Sequence, residues 1–368
     1  MSIYIQLVLI TLVLGVIMPQ KGPKRIYYII LMSLILAFVC GFRYKFITGD
    51  LHKYYYTFMS SGTYAWLSEE LLAEGRNSGF FVFNKLLFHL TGGDFQAFLV
   101  IISVIIHLVL AYAIYRYSPA PWMSFLVWHC MSLYIFGFSA IKQALAMSFV
   151  MLAFIAATNR KLLGFLIAMA LAGSIHMPAL VFLPVYWMMN LRVNGKTIIL
   201  YVLLGIALYT FKDQFISFIR SFYYEEDEVM IFSGEIGSRF IMILGFTLFG
   251  VLFKGFENRD FEHLFHVMAF AAILQLFAGY DNIFTRLADY CFQFSVLYLP
   301  MTFYSTSGNL QRSYMRPFLP FNTRSLKVFA LFVCAFMLWF YWTYNINITI
   351  DYAVDDYLNF RFMWDVIS

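Results

Sequence analysis

The chain has 368 residues, of which 62% are apolar and 12% charged, with a net charge of +5 and a mean hydropathy of +0.75. Soluble domains carry about 25% charged residues, so the composition excludes a chain of soluble domains and points to a single integral membrane domain over 1–368. No run of five Lys or Arg occurs, so no nucleic-acid partner is expected, and the positive charge is read as topology information.

Apolar stretches run nearly end to end, at roughly 2–18, 26–42, 95–116, 120–137, 139–158, 162–174, 177–190, 197–211, 238–254, 262–279, 284–305 and 327–344. They predict an all-α fold, a polytopic transmembrane helical bundle of about 11–12 spans. The first stretch lacks a basic n-region and its cations follow the apolar run, so it reads as a retained span with the N-terminus outside. After the second span comes the longest outer loop, 43–94, in which Phe80–Leu90 is expected to lie flat as an interfacial helix. The stretch from Leu162 to Asn190 is too long for one straight span and short for two. Basic residues flank both ends, so a hairpin of two short arms turning at Ser174 to Pro178, near His176, keeps both flanks on one side. Pro178 suits the first turn of the second arm, where its missing N–H costs nothing. A second outer loop, 212–237, carries the acidic run Glu225, Glu226, Asp227 and Glu228, read as a solvated loop. An outer tail, 345–368, places the C-terminus outside as well.

This alternation gathers six basic loops on the cytoplasmic side of a cell (inner) membrane. They hold Lys21, Lys24 and Arg25; Arg116; Arg160 and Lys161; Arg192 and Lys196; Lys254 and Arg259; and Arg312, Arg316, Arg324 and Lys327, more than half of the 25 cations.

Ionisable groups at membrane depth cost about 2.5–3.5 kcal/mol at mid-span and mark function by default. Arg43, Asp50, Lys142, His176, Arg239, Arg286 and Asp289 all fall at or near the outer ends of spans. Ser139 and Gln143 share a helix face, as do Arg286, Asp289 and Tyr290. Asp289 is expected to pair with Arg286, and Glu235, four residues before Arg239, to be that arginine's partner. His107 reads as a packing residue, and His263 and His266 as cytoplasmic-edge residues that nothing else polar joins. Cys40, Cys130, Cys291 and Cys334 lie in apolar segments without metal-site spacing, and no GxSxG, HExxH, Walker A or GxGxxG signature stands in context. No metal and no cofactor is therefore expected. An outward-facing site with several cations suits an anionic, membrane-anchored ligand, because guanidinium binds phosphate in a planar, bidentate way.

Several motifs in order carry a family resemblance. Gly41-Phe42-Arg43-Tyr44, then Gly49-Asp50 and Tyr54, Tyr55 and Tyr56, resemble the Arg-Tyr…Gly-Thr-Asp-Tyr opening of the EpsG family, membrane proteins of exopolysaccharide synthesis grouped with the Wzy-type polymerases. Gly79 to Phe88 resembles its Leu-Asn-Lys-Leu-Phe segment, Phe138 to Ala146 its Ser-x-x-Arg-Gln-x-x-Ala stretch, Ser174 to Leu183 its His-x-Ser-Ala-Leu segment, and Arg286 to Pro300 its late Arg-Leu…Tyr motif. Two positions depart: Lys142 stands where the family has arginine, and Pro178 where it has a small residue.

The resemblance implies a metal-independent, glycosyltransferase-type polymerase of polyprenyl-diphosphate-linked oligosaccharide repeat units, working with the bilayer and with other polysaccharide-assembly membrane proteins. It would move the growing glycan from its lipid diphosphate onto an incoming unit. Cations would stabilise the leaving diphosphate, with Arg43, Lys142, Gln143, Arg239, Arg286 and Tyr290 as substrate-binding residues. Asp50, His176 or Glu235 would take the acceptor proton. Tyr54, Tyr55, Tyr56, Tyr64 and Trp66 are candidates to stack on sugars. Two other classes meet part of the pattern: a membrane glycosyltransferase adding a single sugar from a polyprenyl phosphate, and a lipid-oligosaccharide flippase or transporter.

Overall fold

The computed structural model describes residues 3–45, 49–66, 78–223, 236–253 and 258–304, with 328, 332, 335, 336, 339 and 362–364. The acidic run 225–228, Glu235, Lys254, Cys334, the basic loop 312–327, and most of the span at 327–344 and of the tail at 345–368 lie outside the described residues.

Regular structure among the described residues is helical, with one isolated backbone bridge between Arg43 and Phe362. The helices are α1 (Ile3–Ile17), α2 (Arg25–Gly41), α3 (Gly49–Thr63), α4 (Ser78–Thr91), α5 (Phe95–Tyr117), α6 (Pro121–Cys130), α7 (Ile141–Thr158), α8 (Leu162–Ile175), α9 (Val185–Met188), α10 (Gly195–Thr210), α11 (Lys212–Tyr223), α12 (Ser238–Phe253), α13 (Arg259–Gln275), α14 (Ile283–Phe292) and α15 (Ser295–Tyr304). Tyr134–Gly137 and Met177–Phe182 form 3₁₀ turns. Starts are set by local chemistry: Asp94, Asn194 and Asn258 each accept backbone N–H bonds as side-chain caps of α5, α10 and α13.

The helices pack as a bundle with α7 at its centre, buried along most of its length between α5 and α8. Large apolar side chains are exposed on the rim, among them Val16, Leu34, Leu163, Ile199 and Ile241. Such a rim suits lipid, and the chain is an integral membrane protein.

Span lengths differ from the sequence expectation. Only α5 and α7 among the described residues are long and apolar enough to cross a bilayer alone, and α10 with α11 would make a third but bends by 84° between them. The stretches at 120–137, 177–190 and 284–305 do not form single helices. They break at the turn after Cys130, at the 3₁₀ turn from Met177, and at Gln293. At such breaks freed backbone groups must find partners inside the protein. The Gln293 carboxamide does so, donating to the carbonyls of Met147 and Tyr290.

From Leu162 the chain runs through α8, breaks at His176 (φ −148°, ψ 103°) and turns back. Phe165 packs on Tyr186 with ring centroids 5.0 Å apart, and Gly173 faces Leu180. Arg160 and Arg192, which flank the segment, both lie within electrostatic reach of His263. The returning arm is a 3₁₀ turn and one helical turn rather than a helix.

The basic loops collect at one end of the bundle. Arg25 donates to the carbonyls of Ser118 and Tyr115, and Arg116 lies near Asp260. Arg259 donates to the carbonyls of Leu191 and Met189, and it shares the buried Glu262 carboxylate with Arg192. His266, expected to stand apart from other polar groups, bonds the Tyr201 hydroxyl at 2.6 Å and meets the Leu191 carbonyl at 3.2 Å. From this end α7, at 18 residues, reaches the opposite end about 27 Å away.

Candidate functional site

Four helices begin at that opposite end, and each carries an ionisable residue in its first turn or just after it. Asp50 opens α3, Lys142 opens α7, Arg239 opens α12, and Arg286 lies one turn into α14. They surround one cavity of about 670 Å³. From α3 come Asp50, Lys53, Tyr54 and Thr57; from the approach to α7 and its first turn, Phe136, Ala140, Lys142 and Gln143. The hairpin tip supplies His176, Met177 and Pro178, and the rest is Arg239 with Ile283, Thr285, Arg286 and Asp289. Helix N-termini carry unsatisfied N–H groups and a partial positive charge. Lys53, Lys142, Arg239 and Arg286 outnumber the carboxylates of Asp50 and Asp289. Charge and dipole therefore both favour an anion in the cavity.

The two arginines are not equivalent. Asp289 is buried and forms an ion pair with Arg239, not with Arg286 as expected. The Arg239 guanidinium also lies over the Phe292 ring, 5.2 Å from its centroid. The Gln143 carboxamide lies beside the Asp289 carboxylate. Arg286 is exposed to the cavity and makes no hydrogen bond or ion pair among the described residues. Lys142 approaches the Phe80 ring at 5.4 Å. His176 is half-buried, with Nδ1 at 2.5 Å from the hydroxyl of the fully buried Tyr290. Tyr290 thus acts behind the histidine rather than in the cavity wall.

Arg43 lies apart. Its side chain is buried and donates to the carbonyls of Cys40, Gly137 and Phe138, with the Phe138 ring 5.2 Å away. It ties the end of α2 to the turn before α7, so it positions the cavity wall without lining it. Of the candidate sugar-stacking aromatics, only Tyr54 is in the lining. Tyr55 packs on Phe95, and Trp66 stacks on His89.

Lys53, Thr57 and Thr285 enter the cavity without having been singled out in the sequence. For the first two the signal was there: residues 50, 53, 54 and 57 share one helical face. The helix expected to lie flat, α4, buries Phe80, Asn84 and Lys85, and its Gly79 abuts Ser174 beside the hairpin tip. The Lys85 ammonium is absorbed by the carbonyls of Ser61 and Tyr64, which fastens α4 to the C-terminal end of α3.

The EpsG family model matches residues 26–362, essentially the whole chain. No curated protein matches, and no solved structure does.

Proposed function

The chain belongs to the EpsG family of Wzy-type polymerases, and from that premise we propose that it polymerises oligosaccharide repeat units carried on a polyprenyl diphosphate, using the cation-lined cavity at the outer face of the cell membrane. The observation that carries this reading is the meeting of Arg286, Lys142 and the Arg239–Asp289 pair with His176 in one cavity at helix N-termini.

In the reaction the acceptor hydroxyl oxygen forms a bond to the anomeric carbon of the donor glycan. The bond from that carbon to the diphosphate oxygen breaks, and the electron pair leaves with the polyprenyl diphosphate. Charge grows on the diphosphate as the bond opens, in the cavity that Arg286 and Lys142 line. Arg286 stays charged at any relevant pH and suits electrostatics rather than proton transfer. The hydroxyl proton passes to Asp50 or His176. For His176 as base, Nδ1–H donates to the Tyr290 oxygen, and the Nε2 lone pair serves the acceptor.

The test is polymer length on gels, from cells with matched levels of inserted protein. Arg286→Ala is expected to lower polymer formation by about 10²–10³, the cost of losing one donor to a developing anion. Arg286→Lys should recover only part of it, because the bidentate fork is lost. Full-length polymer from both Arg286→Ala and Arg239→Ala would sink the proposal. A product extended by a single sugar would favour the single-addition transferase.

A further inference from the structure

A second cavity, of about 390 Å³, runs between α10, α12 and α13. Its wall extends from Ile198 and Val251 at the basic end to Tyr209, Ile236 and Phe240 at the cavity end. Here α12 runs antiparallel to α10 and α13, so the groove follows the thickness of the bundle. Its few polar groups are already engaged. Tyr201 bonds His266, Tyr209 bonds Tyr280, and the Thr210 and Thr247 hydroxyls donate to carbonyls one turn back. A ligand in the groove meets hydrocarbon and finds no hydrogen bond to take up. Such a site selects an apolar chain over a head group.

The groove lies beside the cation-lined cavity at the start of α12, where Arg239 lines the cavity and the next residue, Phe240, lines the groove. We infer that the groove seats the isoprenoid tail of the lipid-linked donor, with its diphosphate entering the cavity beside Arg239; this rests on the function proposed above. A single amphiphile whose charged group lies at one end of a long hydrocarbon matches the two neighbouring spaces. The larger cavity leaves room for the glycan that a bilayer phospholipid lacks.

Gly205 gives access to a test, since a side chain built there meets nothing within 4 Å and projects from the groove wall. The full chain in nanodiscs is titrated with a long-chain polyprenyl diphosphate and with dimethylallyl diphosphate, whose tail is too short to reach Gly205. Gly205→Trp is expected to weaken the long-chain probe on the order of tenfold, by displacing about two methylenes from the wall, and to leave dimethylallyl diphosphate unchanged. Gly205→Ala should leave both unchanged. Unchanged long-chain affinity in Gly205→Trp, or equal loss of both probes, overturns the assignment, as does displacement of the long-chain probe by phosphatidylglycerol at comparable concentration. The underlying reading fails separately: selective loss of the long-chain probe in Gly205→Trp, together with a wild-type protein that makes no polymer from lipid-linked repeat units, would keep the groove and remove the polymerase.

Discussion

Arg239 and Arg286 are both cations near the start of a helix, yet one is spoken for and the other is open. Asp289 makes the difference, because its buried carboxylate holds Arg239 in place. Removing one partner of a buried pair leaves an uncompensated charge, which costs more than the pair contributes. Asp289→Ala should lower stability on the order of 3 kcal/mol, read as the thermal midpoint of the purified protein. The double variant Arg239→Met with Asp289→Leu should recover most of that stability without restoring polymer. If it restores polymer too, Arg239 is structural and not part of the anion site. Arg43 calls for the opposite expectation. Its guanidinium serves main-chain carbonyls at Cys40, Gly137 and Phe138. Arg43→Ala strands buried acceptors at a cost of about 1–3 kcal/mol, so the loss should appear in folded protein before it appears in turnover per molecule. A variant of normal stability that makes no polymer would return Arg43 to the substrate.

At the scale of elements, the break at His176 was legible because three signals coincide: Pro178, basic residues at both flanks, and an apolar stretch of awkward length. Helix lengths elsewhere were not legible. Hydropathy counts apolar residues but is blind to where the backbone turns within them, and α6, α14 and α15 are each 10 residues long inside apolar stretches that read as continuous. The role of α4 was hidden for a related reason. Lys85 looks like an anchor at the water interface, but two carbonyls at the end of α3 let it be buried. The close contact of α4 with the hairpin depends on Gly79, where any Cβ would collide with Ser174, its carbonyl included. Gly79→Val should therefore push α4 off the hairpin tip and misplace His176. Polymer yield should fall while membrane insertion stays normal, and a second change, Ser174→Gly, should recover part of it. Wild-type polymer from Gly79→Val would mean that α4 does not set the position of the tip.

For the whole molecule, the pattern of charges along the chain carried more than the pattern of helices. Alternation of short basic loops predicts that Arg25, Arg116, Arg160, Arg192 and Arg259 share one side, and the structure gathers these five at one end through Ser118, Asp260, His263 and Glu262. The same alternation sends Asp50, Lys142, His176, Arg239 and Arg286 to the other end, where they meet. Pairings inside the site were out of reach, because Asp289 has a closer arginine in sequence than the one it meets in space. Which end faces out is an expectation from the cation bias of cytoplasmic loops, and it decides whether a growing polymer is made on the far side of the membrane. The orientation is open to a direct measurement. Cys40, Cys130 and Cys291 are buried and shielded from an impermeant reagent, so a starting protein with Cys334 alone changed to alanine is sufficient, with its unlabelled background as the control. Tyr56, exposed on α3 at the cavity end, and Lys161, exposed at the basic end, are then changed to cysteine one at a time. A membrane-impermeant maleimide added to intact cells should modify Tyr56→Cys and spare Lys161→Cys until the membrane is opened. Labelling of Lys161→Cys alone would invert the molecule and place the cavity on the cytoplasmic side. Labelling of both before opening would mean that the two ends do not lie on opposite sides, and the bundle axis would then not cross the bilayer as the charges require.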